Sequence, residues 1–436
     1  MSWAEGKRIL VLSRAVVGER MSSPGIRAAN MARVLAEALP EAHITLGVPA
    51  NSIGPPREEA YETALYRIRT LAGLVARNDV IISMGFPPHL VPLFMRKTLV
   101  LDFFSQFYVE WTELERGKGP SWTRRMRGNS NRSFIAEQLT FADFILCANE
   151  RQRDSYLGAL SALGLLDASV YERDRSLRSL IDVAPHGVRP EPPVHSGTRR
   201  LKGVHPAVRE SDRVFVWNAG IVPWYDPVTL IRAIARIRER RDDVKLLFLG
   251  TRYPDAVWEE NRALHNAFAL ARDLNLIDET VIFQDGWVPF EEVKDYILEC
   301  YAGACTYRDT LETRYSFRTR FVDLVWAGLP IVCTAGDVLA ERVDRETLGI
   351  VVPEGDVDAV EAALLRLLDD CAFYETCRAN LACVREELTW ERAFAPLVRF
   401  LHEGVSGAKP KRSRLGPLVA RSAHYLADRS ALTLIR

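Results

Sequence analysis

The chain has 436 residues, of which 48% are hydrophobic and 26% charged, and its 57 basic side chains balance its 57 acidic ones. This length and composition predict two or three globular domains, and a net charge of zero argues against a nucleic-acid-binding protein. Because no run of 18 apolar residues is present, we expect no membrane-spanning helix.

The seven cysteines include no CxxC pair, and several lie in apolar runs such as FILCA and IVCTA. This pattern is typical of buried thiols in a reducing cytosol. The N-terminus carries charged residues where a signal peptide would need an apolar core. We therefore expect a cytoplasmic protein.

The first part of the chain alternates short apolar runs with helical segments. A helix is predicted over 22–39, where apolar residues recur at helical spacing. Five apolar runs are predicted strands: RILVLS (8–13), AHITLGVP (42–49), NDVIISMG (78–85), TLVLDF (98–103) and ADFILCAN (142–149). Continuous apolar strands that alternate with helices indicate a parallel sheet covered on both faces.

A second alternating series follows a segment rich in Pro, Gly and charge, which is typical of a linker. Helices are predicted over 226–240 and 356–370, each starting at a capping aspartate. The predicted strands are RVFVWNAG (213–220), VKLLFLGT (244–251), TVIFQDGWV (280–288), GACTY (303–307), PIVCTAG (330–336) and GIVVPEG (349–355). We therefore expect an α/β protein of two doubly wound Rossmann-like domains that face each other across a cleft.

Five segments are predicted from these boundaries. An N-terminal, acceptor-side domain covers 1–183, a linker 184–212 and a C-terminal donor domain 213–390. A helix that returns to the first domain is expected over 391–408. Residues 409–436 carry seven bases, one acid and interspersed leucines, which is typical of a basic amphipathic segment that binds an anionic membrane surface. The alternative is a tail whose charges are only solvated.

The stretch RYSFRTRFVDLVWAGLPIVCTAGD (314–337) places Arg318 and Arg320 at the start of an apolar helix predicted over 317–327. Ligands of open α/β sheets bind beyond the carboxyl ends of strands and against helix N-termini. The first-turn amides, from Phe317 to Arg320, suit a phosphate, and the two guanidinium groups can bind the same anion. The stretch therefore predicts a phosphate site.

Nearby carboxylates affect the interpretation of this stretch as a phosphate site. Asp323 follows one turn later and can accept hydrogen bonds from ribose hydroxyls. The alternative to an anion site is that the arginines only pair with the nearby carboxylates of Glu312 or Asp309.

Several segments resemble nucleotide-sugar glycosyltransferases of family 4, which have the two-domain GT-B architecture. VAPHGV (183–188) is similar to the segment where that family crosses between domains. FVDLVWAGLPIVCTAGD and LGIVVPEGDVDAVEAAL resemble its donor-site helix and strand and its final βα unit. ETRYSFRTR and GWVP are similar to motifs of a bacterial subgroup, and SSPGIRAANMARVLAEAL is the main match in the first domain.

The resemblance implies a hexosyltransferase that moves a sugar from a nucleotide diphosphate sugar to a glycan or lipid-linked acceptor. It implies retention of the anomeric configuration, no metal or other cofactor, and a role in bacterial cell-surface polysaccharide synthesis. A peripheral location at the inner face of the cell membrane suits such an acceptor. The alternatives are a non-catalytic glycan- or partner-binding subunit and a nucleotide-sugar epimerase of similar fold.

The sequence departs from the family in its carboxylates. The family has two glutamates before the Gly of its A-G-L-P motif, eight positions apart. Here Asp323 stands at the second position and Tyr315 at the first. Glu312, one turn earlier, is the candidate to replace the missing glutamate.

The sequence also departs from the family in its basic residues. The family's Arg and Lys after the first strand of this domain have no counterpart, since Trp224 and Asp226 stand there. We expect Arg318 and Arg320 to supply the positive charge that this loop lacks.

These considerations give three groups of predicted site residues. The catalytic candidates are Arg318, Arg320 and Glu312. The donor-binding candidates are Gly25, Gly220, Trp287, Ser316, Phe317, Thr319 and Asp323. The acceptor-side candidates are His89, Asp102 and Arg27. The alternatives are a turn before a helix for Gly25 and domain packing for Trp287. No cluster of His, Cys, Asp and Glu has metal-ligand spacing.

Overall fold

The computed structural model describes residues 2–404, except for residues 57, 88–89, 91–92, 94–95, 117–118, 120, 167, 219 and 252–260. The chain divides into two compact units. The first runs to Pro185 and resumes at Ala393, and the second covers His186–Arg392. Each unit contains one sheet.

The sheet of the first unit has seven parallel strands in the order β3-β2-β1-β4-β5-β6-β7. They are β1 (Arg8–Leu12), β2 (His43–Pro49), β3 (Glu62–Tyr66), β4 (Val80–Ser83), β5 (Thr98–Phe103), β6 (Phe144–Cys147) and β7 (Ile181–Val183). The five predicted strands are confirmed, whereas β3 and β7 were not predicted. β3 is an edge strand without a continuous apolar run, and β7 has only three residues.

Among the described residues, six helices of the first unit with defined bounds precede the second unit in sequence. They are α1 (Ser23–Ala38), α2 (Ile68–Ala76), α3 (Phe107–Leu114), α4 (Trp122–Phe141), α5 (Glu150–Ala162) and α6 (Ala168–Arg173). A buried cluster that includes Leu10, Ile81 and Leu101 joins the central strands to residues of these helices, such as Leu139 and Tyr156. The bounds of α1 confirm the helix predicted over 22–39 within one residue at each end.

The sheet of the second unit has six parallel strands in the order β10-β9-β8-β11-β12-β13. They are β8 (Arg213–Trp217), β9 (Val244–Phe248), β10 (Val281–Phe283), β11 (Ala302–Cys305), β12 (Ile331–Thr334) and β13 (Gly349–Val352). All six correspond to predicted strands. The order reverses between β8 and β11, and at such a switch point the loops beyond the carboxyl ends diverge and leave room for a ligand.

The helices of the second unit are α7 (Pro227–Arg238), α8 (Arg262–Asp273), α9 (Phe290–Leu298), α10 (Leu311–Tyr315), α11 (Thr319–Ala327), α12 (Val338–Arg345), α13 (Val357–Asp369) and α14 (Cys371–Glu387). The side chain of Asp226 accepts a hydrogen bond from the Thr229 amide and caps α7, as predicted. Asp356 caps α13 in the same way. α11 begins two residues later than predicted and ends at Gly328, whose φ of 68° suits a glycine.

The last described helix is α15 (Trp390–Glu403), and from Ala393 onward it belongs to the first unit. The Phe400 ring stacks on Phe144 of β6 with 4.4 Å between ring centroids. Arg399 forms an ion pair with the buried carboxylate of Asp182 at 2.7 Å. An apolar and a polar contact thus fix the end of this helix on the first sheet.

The predicted basic tail, 409–436, lies outside the described residues. Within the part of the chain that the structure describes, no helix is long and apolar enough to span a bilayer.

Candidate functional site

The candidate site lies in the second unit, where the carboxyl ends of β8 and β11 meet the start of α11. Asn218 directly follows β8, and its amide donates to the carbonyl of Arg320 at 3.0 Å and to the Asp323 carboxylate at 3.3 Å. Cys305, the last residue of β11, accepts a weak hydrogen bond from Arg320. The strand ends therefore contact the first turn of the helix directly.

A glycine in β11 sets the distance between this strand and α11. A Cβ atom built at Gly303 would lie 2.2 Å from the Cδ1 atom of Leu324, far inside a van der Waals contact. The helix therefore lies closer to the strand than any other residue at 303 would permit.

The amides at the start of α11 remain open. Arg318 is the N-cap residue, and its side chain does not cap the helix. Among the residues that the structure describes, the backbone N–H groups of Phe317, Arg318, Thr319 and Arg320 have no hydrogen-bond acceptor. Four such donors, together with the positive end of the helix dipole, suit an anion.

Arg318 is buried and its charge is compensated within the protein. Its guanidinium donates to both carboxylate oxygens of Glu312, at 2.8 and 3.2 Å, and to Thr313 at 3.1 Å. It also donates to the hydroxyl of Tyr225 at 3.2 Å, and its Nε lies 3.7 Å from an oxygen of Asp337. One arginine thus neutralises two buried carboxylates.

The two carboxylates depend on this arginine because both are buried. Burial raises the pKa of Glu312 and of Asp337, and the neighbouring Arg318 charge opposes both shifts. Asp337 also accepts a hydrogen bond from the hydroxyl of Tyr307 and two from amides at the start of α12. We call Glu312, Arg318, Asp337, Tyr225 and Tyr307 the buried network.

Arg320 is in a different position. Its guanidinium lies 4.1 Å from the ring centroid of Tyr225 and 5.6 Å from that of Trp217. Within the described part of the chain it forms no ion pair, and its only hydrogen bond to another side chain goes to Cys305. Burial raises the pKa of the Cys305 thiol, so this partner stays neutral. Arg320 therefore carries a buried charge that no ion pair holds within the described part of the chain.

Asp323 lies one turn into α11 and is partly buried. Burial raises the pKa of its carboxyl to about 7, although Arg320 and the hydrogen bond from Asn218 act in the opposite direction. The group is therefore divided between acid and carboxylate at neutral pH.

The remaining predicted donor residues lie around these groups. Ser316 and Phe317 form the short connection between α10 and α11, and a hydrogen bond from Ser316 lowers the pKa of Glu312. Gly220 is buried in the loop after β8. The structure therefore places the predicted residues of the RTR segment and Asp323 in one connection and helix start.

Trp287 follows β10 and lies beside the carboxyl end of the neighbouring β9. Its ring comes within 3.6 Å of the point where a Cβ atom at Gly250 would stand, and Gly250 has a φ of 85°. The ring is partly exposed. Trp287 therefore borders the same sheet edge, two strands away from α11.

The acceptor-side candidates Arg27 and Asp102 form a buried ion pair inside the first unit. Three N–O contacts of 2.7 to 3.0 Å join them, and Arg27 also donates to the carbonyl of Pro185 at 2.7 Å. Arg27 has no exposed surface. This pairing removes Arg27 from solvent, and the acceptor-side role of Arg27 and Asp102 stays a prediction. The third candidate, His89, lies outside the described residues.

Gly25 lies inside α1 rather than in the loop before it. A Cβ atom at this position would lie 2.4 Å from the carbonyl oxygen of Val16. The glycine is thus required for the close approach of the preceding loop to the helix.

Several residues of the site were not predicted from the sequence. Asn218, Tyr225, Tyr307 and Asp337 each follow a strand end, which is the signal that could have identified them. Among the described residues, no group of three His, Cys, Asp or Glu side chains could hold a metal ion.

Solved structures of known proteins share this architecture. A sucrose-phosphate synthase from Thermosynechococcus elongatus is 16% identical and gives a TM-score of 0.62 over 91% of this chain and 98% of that chain. HepE from Anabaena, in complex with UDP and glucose, is 14% identical, with a TM-score of 0.59 over 91% and 100%. WaaG, a glycosyltransferase involved in lipopolysaccharide biosynthesis, is 13% identical, with a TM-score of 0.57 over 91% and 100%. At these identities the likeness shows the fold.

Sequence comparison gives a family match for part of the second unit. No curated protein sequence matches this chain. The model of the family described as glycosyl transferases group 1 matches residues 213–370, which include β8, α11 and the buried network. The solved structures therefore show that the chain has the GT-B fold, and the family match over 213–370 agrees with the resemblance to family 4.

Proposed function

We propose that this protein transfers a hexosyl group from a nucleotide diphosphate sugar to a glycan or lipid-linked acceptor. The observation that carries the proposal is that Arg320, which forms no ion pair among the described residues, belongs to the same first turn of α11 as the four open amides. A buried positive charge without a carboxylate partner is costly unless an anion binds beside it. The diphosphate of a donor sugar supplies such an anion.

The same groups account for the leaving-group chemistry. When the bond between the anomeric carbon and the diphosphate breaks, negative charge develops on the departing diphosphate. Fixed N–H groups and a guanidinium stabilise that charge without reorganising, since they already point at it. We propose that these groups act without a bound metal ion and that the sugar keeps its anomeric configuration.

Similar proteins support this choice of substrate and outcome. HepE has been solved with UDP-glucose, and trehalose-6-phosphate synthase has served to study enzymatic glycosyl transfer with retention. WaaG is involved in lipopolysaccharide biosynthesis. On this basis we propose a role in bacterial cell-surface polysaccharide synthesis, at the cytoplasmic face of the cell membrane.

A donor screen tests the proposal. The full-length protein is titrated with UDP, dTDP, GDP, ADP and CDP by calorimetry. Nucleotide sugars that contain the bound nucleoside diphosphate are then tested as donors by measuring the nucleoside diphosphate that is released. We expect one nucleotide to bind, and release to persist in EDTA when a glycan or lipid-linked acceptor is present. Failure of all five diphosphates to bind would overturn the proposed function.

Asp323→Asn should weaken binding of the nucleoside diphosphate by about tenfold near pH 8, because an ionised carboxylate accepts ribose hydrogen bonds more strongly than an amide. Since the pKa of Asp323 is raised to about 7, the wild-type affinity should increase between about pH 6 and pH 8, and the variant should lack this increase. The phosphate of the ligand also titrates in this pH range, but it does so equally for both proteins. The difference between their affinities as a function of pH therefore reports Asp323 alone.

The stability of the Asp323→Asn variant provides the control. The native state keeps the Asp323 proton where the unfolded chain, with a pKa near 3.8, has lost it. The stability contributed by this group therefore falls as pH rises from about 4 to about 7. The variant should be at least as stable as wild type near pH 8. A large loss of stability together with normal nucleotide affinity would assign Asp323 a structural role.

The basic segment 409–436 predicts binding to anionic membranes. Each Lys or Arg near an anionic surface contributes roughly 1 kcal/mol, so several of its seven bases suffice for reversible attachment. Full-length protein should sediment with anionic liposomes, whereas a chain that ends at Gly407 should stay in the supernatant. Equal partitioning of the two proteins would contradict a membrane role for this segment.

A further inference from the structure

The loop after β8 lacks the basic residues that the family resemblance leads one to expect, but it is held rigidly. Tyr225 pairs with Tyr307 in a short antiparallel bridge, and the amide of Asp226 donates to the carbonyl of Thr306 at 3.0 Å. The amide of Arg308 donates to the carbonyl of Trp224 at 3.2 Å. The backbone on both sides of Tyr225 is therefore fixed to the loop that follows β11.

The side chain of Tyr225 is fixed as well. Its hydroxyl accepts a hydrogen bond from Arg318 at 3.2 Å, and its ring meets that of Trp217 edge-on, with 5.6 Å between centroids. Only about 6% of Tyr225 is exposed. The ring cannot rotate or withdraw unless one of these contacts breaks.

The ring of Tyr225 lies between two arginines that differ in ion pairing. Arg318, at 5.1 Å from the ring centroid, is neutralised by Glu312 and Asp337. Arg320, at 4.1 Å from the same centroid, has no ion-pair partner among the described residues. The aromatic face is therefore the main group that orients this guanidinium, since the neutral thiol of Cys305 offers only a weak hydrogen bond at 3.7 Å.

We propose that Tyr225 is a positioning residue, which holds the guanidinium of Arg320 against the donor diphosphate. This inference rests on the proposed function. The loop after β8 then supplies no charge of its own, and its aromatic ring orients a charge that comes from α11. The buried network, through Arg318, fixes the ring in turn.

A double-mutant cycle tests this role. The variants are Tyr225→Leu, Arg320→Ala and the double variant, with Tyr225→Phe as the conservative replacement that keeps the ring. Affinity is measured for the tightest of UDP, dTDP, GDP, ADP and CDP and for its parent nucleoside. The nucleoside has no phosphate, so it reports any general loss of the site.

We expect Tyr225→Leu to weaken binding of the nucleoside diphosphate about fivefold to thirtyfold, the range from a partly to a fully desolvated cation–π contact, and to leave binding of the nucleoside unchanged. Tyr225→Phe should restore most of this affinity, and Tyr225→Leu should have no further effect when Arg320 is already Ala. An equal effect of Tyr225→Leu with and without Arg320, or an equal loss of nucleoside, would overturn the positioning role. If wild type and Arg320→Ala bind the diphosphate equally, the proposed diphosphate site itself is wrong.

Discussion

Arg318→Ala should lower the free energy of unfolding by about 3–5 kcal/mol, the usual cost of removing one partner from a buried ion pair. The reason is that Glu312 and Asp337 would remain buried without a counter-charge. Unpaired buried carboxylates bind protons in the native state, so their pKa values rise further and the loss should be larger near pH 8 than near pH 5. Urea denaturation at the two pH values measures both effects.

An exposed arginine provides the matched control. Arg199 pairs with Glu210, and both side chains are more than half exposed, at 54% and 61%. Arg199→Ala should therefore change stability far less than Arg318→Ala, with little dependence on pH. If Arg318→Ala were as stable as the control but lost nucleotide affinity, Arg318 would act on the ligand and not through the buried network.

Arg320→Ala should reduce turnover at least about tenfold, which corresponds to about 1.4 kcal/mol of transition-state stabilisation. Its guanidinium forms no ion pair within the described part of the chain. Because no carboxylate is ion-paired to it, the variant should lose much less stability than Arg318→Ala. Steady-state kinetics on the donor that the screen identifies, with urea denaturation alongside, separate the two variants.

Arg320→Lys sharpens this test. Lysine keeps the charge but lacks the planar guanidinium that stacks on Tyr225, so it should recover only part of the lost turnover. Unchanged kinetics in both Arg320 variants would show that the guanidinium serves packing alone.

The alternation of strands and helices could be predicted because every strand between two layers of helices needs an apolar surface on both faces. Continuous runs such as VKLLF in β9 and IVCT in β12 carry this signal. β3 escapes the rule because an edge strand is partly exposed, and its sequence ETALY mixes polar and apolar residues. The start of α11 differs by two residues because Arg318 has the non-helical backbone of a cap, with a ψ of 84°, which spacing does not reveal.

The site could be predicted only in part because charge compensation depends on residues far apart in sequence. Arg318 and Arg320 look equivalent in the segment RTR, and local spacing suggests Glu312 or Asp309 as partners for both. The structure separates them through Asp337, which follows β12, and Tyr225, which follows β8. Similarly, the ion pair of Arg27 with Asp102 spans 75 positions, so sequence spacing could not show that it is buried.

The contact between Gly303 and Leu324 makes the location of Arg320 adjustable by protein engineering. A side chain at 303 is compatible with the fold only if residue 324 becomes smaller or the helix retreats from the 2.2 Å approach by about 1 Å or more. Substitutions at the two positions should therefore be selected together in any library. Residue pairs at 303 and 324 that conserve the summed side-chain volume of the two positions would leave α11 in place. Pairs with a larger summed volume would move α11, and with it the guanidinium of Arg320, outward in small steps.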